Sequence, residues 1–133
     1  MKKRAWKTKI KRACREAGTY MPYFDAPIDA LAGILECRDQ VEELYREEDE
    51  GPIVEYTNKN GSTNMVKNPL LATWDDLNKS ALTYWRDLGL TPAGLKKIRE
   101  DTFRKEQEKS ASDNLFERLQ NARAAREEKN GSV

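Results

Sequence analysis

The stretch from Asn68 to Pro92 constrains the fold more than any other part of the chain, because it predicts one amphipathic helix with both ends defined. Asn68 is a favourable N-cap, and Pro69 follows at the first helical position, where a missing N–H costs nothing. Gly89 supplies a left-handed stop, and Thr91-Pro92 begins a further helix. Between these signals the apolar residues recur every three or four positions: Leu70, Trp74, Leu77, Ala81, Trp85 and Leu88. This helix requires a packing partner.

A second long helix is predicted from Pro27 to about Glu48, and its apolar residues form two neighbouring rows. One row contains Ile28, Leu31, Leu35 and Tyr45, and the adjoining row contains Ala30, Ile34, Cys37, Val41 and Leu44. Two helices of similar length favour an antiparallel helical hairpin. Between them, Ile53–Thr57 and Asn64–Lys67 alternate around a turn near Gly61, which predicts a short β-hairpin insert over residues 52–67 at the tip.

The segments that flank this hairpin are also predicted to be helical. Lys2 to Ala17 forms a basic helix, and a shorter helix begins after Thr91-Pro92, with a break at Ser110 to Asn114. The fold class is therefore mainly α: a long antiparallel helical hairpin with a β-hairpin tip, an N-terminal basic helix and C-terminal helices. We divide the chain into a basic helix and linker at 1–24, a hairpin core at 25–108 and a tail at 109–133.

The net charge of +1 conceals a strong asymmetry along the chain. Residues 1–17 carry eight Lys or Arg against Glu16 alone, whereas residues 18–50 carry ten acids against Arg38 and Arg46. Cations at the density of the N-terminal segment neutralise phosphates and release counterions, which predicts DNA binding. A solubilising arm is the alternative, and Trp6 either stacks on DNA or packs in a core or a subunit contact. The candidate DNA-binding residues, chosen from charge alone, are Lys3, Arg4, Lys7, Lys9, Lys11, Arg12 and Arg15.

Several kinds of chemistry are excluded by what the sequence lacks. It contains no histidine and no Gly-rich phosphate-binding motif, so we expect neither an enzyme nor a bound cofactor. Asp75 and Asp76 diverge by about 100 degrees on a helix, so we interpret them as solvated residues and predict no metal site. Cys14 and Cys37 fit no ligand spacing and are predicted to be small buried side chains. No apolar stretch approaches the length that crosses a bilayer, so no membrane partner is expected.

The doubled apolar face of the 27–48 helix predicts self-association. A two-helix hairpin buries one side of each helix, so the remaining row meets another subunit, the N-terminal helix or the helix after Thr91. We favour another subunit, and head-to-tail contacts between copies close into a ring. A monomeric bundle that uses its own flanking helices is the alternative. The candidate oligomerisation residues are Ile28, Leu31, Ile34, Leu35, Val41, Leu44, Trp74 and Trp85.

The order of these segments resembles that of the small subunit of tailed-bacteriophage terminases. The resemblance rests on the run from Trp6-Lys7 through Arg15 into Glu16-Ala17-Gly18-Thr19-Tyr20, and on Leu31-Ala32-Gly33-Ile34-Leu35, Glu55-Tyr56-Thr57-Asn58-Lys59 and Asn64 to Pro92. The last block is the most specific, with its Lys67-Asn68-Pro69-Leu70, Leu77-Asn78-Lys79 and Leu88-Gly89-Leu90-Thr91-Pro92 elements. The segment after Lys105 carries no diagnostic match.

The resemblance implies a ring-forming helical core that binds double-stranded viral DNA without catalysis. It also implies a tail that docks on the terminase large subunit, which holds the ATPase and nuclease, and a location in the host bacterial cytoplasm. Two alternatives from other classes stay open. One is a structural or adaptor oligomer without DNA binding, and the other is a small helical DNA-binding transcription regulator, which would form a dimer with a compact helix-turn-helix.

Overall fold

The computed structural model describes residues 1–131, so Ser132 and Val133, which end the predicted tail at 109–133, lie outside the described residues. The chain is mainly helical, as predicted. Its elements in order are α1 (Lys3–Ala17), a 3₁₀ turn (Pro22–Phe24), α2 (Asp25–Glu48), β1 (Ile53–Thr57), β2 (Thr63–Lys67), α3 (Pro69–Asp87) and α4 (Pro92–Gly131).

Helices α2 and α3 form the predicted antiparallel hairpin. Near its middle, the guanidinium of Arg38 donates to Oδ1 of Asn78 at 3.3 Å. Near the β-hairpin end, Tyr45 and Arg46 of α2 share the wall of one cavity with Leu71 and Trp74 of α3. The late part of α2 therefore lies beside the early part of α3, which is the arrangement of an antiparallel pair.

The two strands between these helices form an antiparallel β-hairpin, which confirms the predicted insert. Ile53 pairs with Lys67 at the open end, and Thr57 pairs with Thr63 next to the turn. Oδ1 of Asn58 accepts hydrogen bonds from the backbone N–H groups of Asn60 and Ser62, each at 3.0 Å. Gly61 adopts a φ of 80° in this turn, a value that glycine reaches without steric cost.

Asn68 connects the β-hairpin to α3. Its side-chain Oδ1 accepts a hydrogen bond from the N–H of Leu70 at 3.0 Å, which confirms the predicted N-cap. Its Nδ2 donates to the carbonyl of Gly51 at 2.9 Å, and its backbone N–H donates to Pro52 at 2.8 Å. Asn68 is buried, so one side chain both begins α3 and closes the base of the β-hairpin.

The hydrophobic core lies where α1, α2 and α3 meet. Helices α1 and α3 both pack against α2, and the first apolar row of α2 points into the core that the three helices share. Ile28, Leu31 and Leu35 are 2%, 0% and 0% exposed inside the protomer, which differs from the subunit contact predicted for them. The buried apolar residues of this core are Trp6, Ile10, Cys14, Phe24, Ile28, Leu31, Ala32, Leu35, Ala81 and Leu88.

The junction between α3 and α4 is tight. Gly89 has a φ of 74°, and the N–H of Leu90 donates to the carbonyl of Trp85 at 2.8 Å. Thr91 then caps α4 by accepting a hydrogen bond from the N–H of Gly94 at 3.1 Å. A Cβ placed on Gly94 would lie 2.1 Å from the carbonyl oxygen of Arg86, so only glycine permits this approach.

Helix α4 is continuous from Pro92 to Gly131, so the predicted break at Ser110 to Asn114 and the division into C-terminal helices are wrong. The segment contains no Gly or Pro, and its flanks are rich in Glu, Lys, Arg and Ala, which favour helix strongly enough to carry four polar residues through. The chain forms two compact units, the first from Met1 to Leu95 and the second from Lys96 onwards. The segment predicted as a tail belongs to the second unit.

Candidate nucleic-acid interface

Helix α1 places six of its seven cations, all except Lys9, in two rows beside a buried stripe. Trp6, Ile10 and Cys14 are buried at a spacing of four residues. Residues four apart lie on the same helix face, so cations at this spacing form a row that points in one direction. The lysine row is defined as Lys3, Lys7 and Lys11, and the arginine row as Arg4, Arg12 and Arg15 with Thr8 between them.

The lysine row faces the acidic start of α2 and is paired with it. Lys3 Nζ lies 3.0 Å from Oδ2 of Asp29, Lys7 Nζ lies 3.1 Å from Oδ1 of Asp29, and Lys11 Nζ lies 3.6 Å from Oδ1 of Asp25. The hydrogen bonds from Lys3 and Lys7 lower the pKa of Asp29, so its carboxylate stays ionised. Three of the seven predicted DNA-binding cations therefore carry counter-charges from their own chain.

Tyr20 organises the C-terminal end of this pairing, a role that charge alone did not reveal. Its hydroxyl donates to Oδ1 of Asp25 at 2.9 Å, and this bond is the main cause of the lowered pKa of Asp25. The charged groups of Lys11 and Arg15 each lie 5.1 Å from the centre of the Tyr20 ring. Cations at that distance are attracted by the negative face of the ring. An aromatic residue directly after a basic helix was the available sequence signal.

The arginine row faces solvent. Arg4, Arg12 and Arg15 are exposed, and within residues 1–131 none of their guanidinium groups forms an ion pair. Eleven residues separate the first arginine from the last, a length of about 16 Å along the helix axis. Lys9 lies on the other flank, with its Nζ 5.0 Å from the Trp6 ring. Uncompensated charge is thus concentrated on one outward face of α1.

Trp6 belongs to the core, so of the two alternatives that the sequence left open, packing in a core is confirmed. It is 9% exposed, and its Nε1 donates to Oδ2 of Asp39 at 2.7 Å. Burial raises the pKa of Asp39, but the hydrogen bonds from Trp6, the Met1 amino group and Arg38 outweigh it and lower the pKa. The bonds from Met1 and Trp6 connect the N-terminal end of α1 to α2, whereas Tyr20 lies after the C-terminal end of α1.

The N-terminus of α1 is held by a carboxylate from α2. The backbone N–H of Lys3 donates to Oε2 of Glu36. A negative charge there satisfies one of the unpaired N–H groups of the first turn and complements the helix dipole. Together with Asp39, this contact fixes the rotation of α1 about its axis, and that rotation decides which cations face outward.

The second apolar row of α2 stays at the surface. Ile34 and Val41 are half-buried, and Leu44 is 45% exposed. Cys37 is exposed in the middle of this row, so its predicted burial is wrong. Cys14 is buried as predicted, and burial raises the pKa of its thiol. One cysteine of the chain thus lies in the core and the other on the open face of α2.

The two tryptophans assigned to oligomerisation are half-buried on α3. Trp85 packs against the core. Trp74 lines a cavity of about 190 Å³ with Tyr45 and Leu71, and its buried Nε1 has no hydrogen-bond partner among the described residues. Each side chain is therefore partly buried in the protomer and partly accessible at its surface.

Two other kinds of site are absent from residues 1–131. No group of three or more Cys, Asp or Glu side chains converges there in a way that would hold a metal ion. None of the helices in the same range is long and apolar enough to span a membrane.

Fold and charge together define a small helical-hairpin protein that presents a cationic helix to solvent. The family of the phage terminase small subunit matches residues 3–104 of the chain, and the protein belongs to that family. Membership assigns it a role in the packaging of phage DNA. Neither a search of curated proteins nor a search of solved structures gives a match.

Proposed function

We propose that this protein is a non-catalytic terminase small subunit that binds double-stranded viral DNA near the packaging initiation site. It assembles into a ring of identical copies and recruits the ATPase-nuclease large subunit in the host bacterial cytoplasm. The observation that carries the proposal is the unpaired arginine row on α1 in a member of this family. Each of the three activities rests on a different surface, so each is tested separately.

DNA binding rests on the arginine row. Duplex DNA carries one negative charge for about every 1.7 Å of its axis, so a 16 Å line of guanidinium groups spans several phosphates. Arginine also matches phosphate oxygens with paired N–H donors, which fixes orientation as well as charge. The arginine row therefore supplies affinity for any duplex sequence.

A charge-reversal comparison tests the arginine row. The variant Arg4→Glu, Arg12→Glu, Arg15→Glu is expected to bind a 30-base-pair duplex at least about 100-fold more weakly at 0.1 M salt. The matched control reverses three exposed arginines of α4, Arg118, Arg123 and Arg126, and should stay within about threefold of the unaltered protein. Gel-shift titration measures both, and equal losses would remove α1 from the proposal.

Self-assembly rests on the second apolar row of α2. Ile34, Val41 and Leu44 line one helix face, and exposed apolar surface of this kind marks a protein contact. A heterologous contact between identical copies closes into a ring when its rotation allows closure. In such a ring every copy contributes one arginine row, so weak phosphate contacts add along the same DNA molecule.

Recruitment of the large subunit rests on residues 109–131. Leu115, Phe116 and Leu119 lie there within little more than one helical turn and are 61%, 62% and 58% exposed. A short apolar cluster on a charged helix suits docking into a groove of a larger partner. Changing all three residues to Ser should weaken capture of the large subunit at least about tenfold and leave self-assembly and DNA binding intact.

Other functions give distinct results in the same assays. A protein that assembles but retains no duplex at 50 mM salt would be an adaptor oligomer. A dimer that binds one specific duplex would be a transcription regulator. Hydrolysis of ATP by the purified chain would contradict a non-catalytic role.

A further inference from the structure

We propose that Asp25 and Asp29 of α2 compete with DNA phosphates for the lysine row and thereby limit the affinity of this protein for duplex DNA. The inference rests on the proposed function and deepens it. In this proposal the lysine row contributes to DNA binding only when phosphates replace the aspartates, whereas the arginine row has no carboxylate to displace.

The pairing has the geometry of a built contact between two helices. The lysines occur every fourth residue on α1, and the two aspartates are four residues apart on α2. Lys3 and Lys7 reach Asp29, whereas Lys11 reaches Asp25, so the order on α1 runs against the order on α2. Each aspartate thus lies at the level of the lysines that it neutralises.

The contact is open to an incoming phosphate. The lysine side chains are 44%, 47% and 36% exposed, and those of Asp29 and Asp25 are 46% and 61% exposed. A groove of about 290 Å³ runs between the helices beside them, lined by Arg4, Lys7, Thr8, Lys11, Asp25 and Ile28. Pairs at this exposure are weakened by solvent and salt, so a phosphate can displace the carboxylate from an ammonium group.

Asp29 should limit DNA affinity more than Asp25, because it neutralises more lysines. One carboxylate holds two lysines within 3.1 Å, so its removal leaves two ammonium groups without a partner. Asp25 holds only Lys11, at 3.6 Å, and it is also engaged by the hydroxyl of Tyr20. Loss of Asp29 should therefore increase DNA binding more than loss of Asp25.

The experiment compares three single substitutions in the full chain on a mixed-sequence 30-base-pair duplex. Asp29→Asn should bind about tenfold more tightly at 0.1 M salt, and the slope of log affinity against log salt should steepen by about 1.8, since two phosphates are gained. Asp25→Asn should show about half that change in slope. The matched control is Asp75→Asn, which also removes one negative charge and frees one lysine, Lys79, but on α3.

The control separates a local effect from net charge. An equal gain from Asp75→Asn and Asp29→Asn would overturn the inference while DNA binding itself stands. Adding Lys3→Gln and Lys7→Gln to Asp29→Asn should return affinity to within about twofold of the unaltered protein, and a gain that survives would overturn it as well. If the unaltered protein and Asp29→Asn both fail to bind at 50 mM salt, the proposed function and the inference fail together. Binding by Asp29→Asn alone would support the inference.

Discussion

The two apolar rows of α2 have similar composition and opposite fates. Ile28, Leu31 and Leu35 are sealed inside the protomer, whereas Ile34 and Val41 lie half-buried on the neighbouring face. The rows differ in what covers them: the first lies in the core with Trp6, Ile10 and Cys14 of α1 and Ala81 of α3, whereas in the second Ile34 only borders the core and Leu44 is exposed. Periodicity thus tells which residues form an apolar face, and the position of the next helix decides whether its own chain covers that face.

The largest expected effect comes from a charge in the covered row. Leu31→Asp should unfold the protomer, because an unpaired carboxylate in this site costs several kcal/mol against a total stability of about 5–15 kcal/mol. Circular dichroism at 222 nm should show loss of helix at 25 °C. A variant that stays folded and loses only its assembly would show that Leu31 lies between subunits and not in the protomer core.

Acid tests the side of α2 that faces α1. The pKa values of Asp25, Asp29 and Asp39 are all lowered by their contacts with α1, Tyr20 or Arg38. A carboxyl group whose pKa is lower in the folded than in the unfolded protein stabilises the fold at pH values above its unfolded pKa of about 3.9. This stability is lost as the pH falls through the pKa of the folded state. Urea midpoints should therefore decline below about pH 4, mainly through the partly buried Asp39, because solvent screens the exposed pairs of Asp25 and Asp29.

Asp39→Asn should flatten that acid profile, because Asp39 is only 18% exposed and accepts bonds from Trp6 and Arg38. The control Asp75→Asn removes a surface carboxylate of α3 and should leave the profile unchanged. An unaltered protein whose urea midpoint stays constant from pH 5 to pH 2 would show that these carboxylates do not hold α1 in place.

A charge in the open row should separate assembly from folding. Val41→Asp is expected to keep the helix content and to destabilise the protomer much less than Leu31→Asp, because solvent can reach a carboxylate at this half-buried site. The same variant should dissociate the oligomer, as measured by light scattering. An oligomer of unchanged mass would show that the open row faces water.

Cys37 reports on the open row without altering it. Its thiol is exposed in one protomer, and Cys14 is buried, so the two cysteines give separate signals. A thiol reagent should modify Cys37 several-fold more slowly in the assembled protein than in the Val41→Asp variant. Equal rates would show that the contact between copies leaves Cys37 uncovered.

The smallest expected effect comes from a glycine on the flank of α2 that faces Lys3 of α1. Gly33→Ala should stabilise the protein by about 0.5–1 kcal/mol, since a Cβ there would meet only the side chain of Lys3 at 3.8 Å. The control Gly94→Ala should destabilise, because its Cβ would overlap the carbonyl of Arg86. Thermal unfolding measures both, and a destabilised Gly33→Ala would mean that the contact of α1 with α2 tolerates no added atoms.

The sequence was sufficient where the signal is local. The Asn68 cap, the turn at Gly61, the stop at Gly89 and both long helices follow from neighbouring residues, and each is confirmed. The predicted break at 110–114 failed because helix propensity sums over a long stretch, so four weak residues do not end a helix.

The candidate site was predicted only as a set of charges. Counting cations on α1 cannot separate Lys7 from Arg12, because the difference lies in Asp29, which is distant in sequence and adjacent in space. The rotation of α1, fixed by Glu36 and Asp39, makes that distinction. Long-range pairing of this kind requires the packed structure.

Native mass spectrometry of the unaltered protein at micromolar concentration tests the central claim most directly, which is that copies of this chain meet through the open row of α2. We predict one closed species of several copies and few free chains. A spectrum that contains only single folded chains would contradict the account.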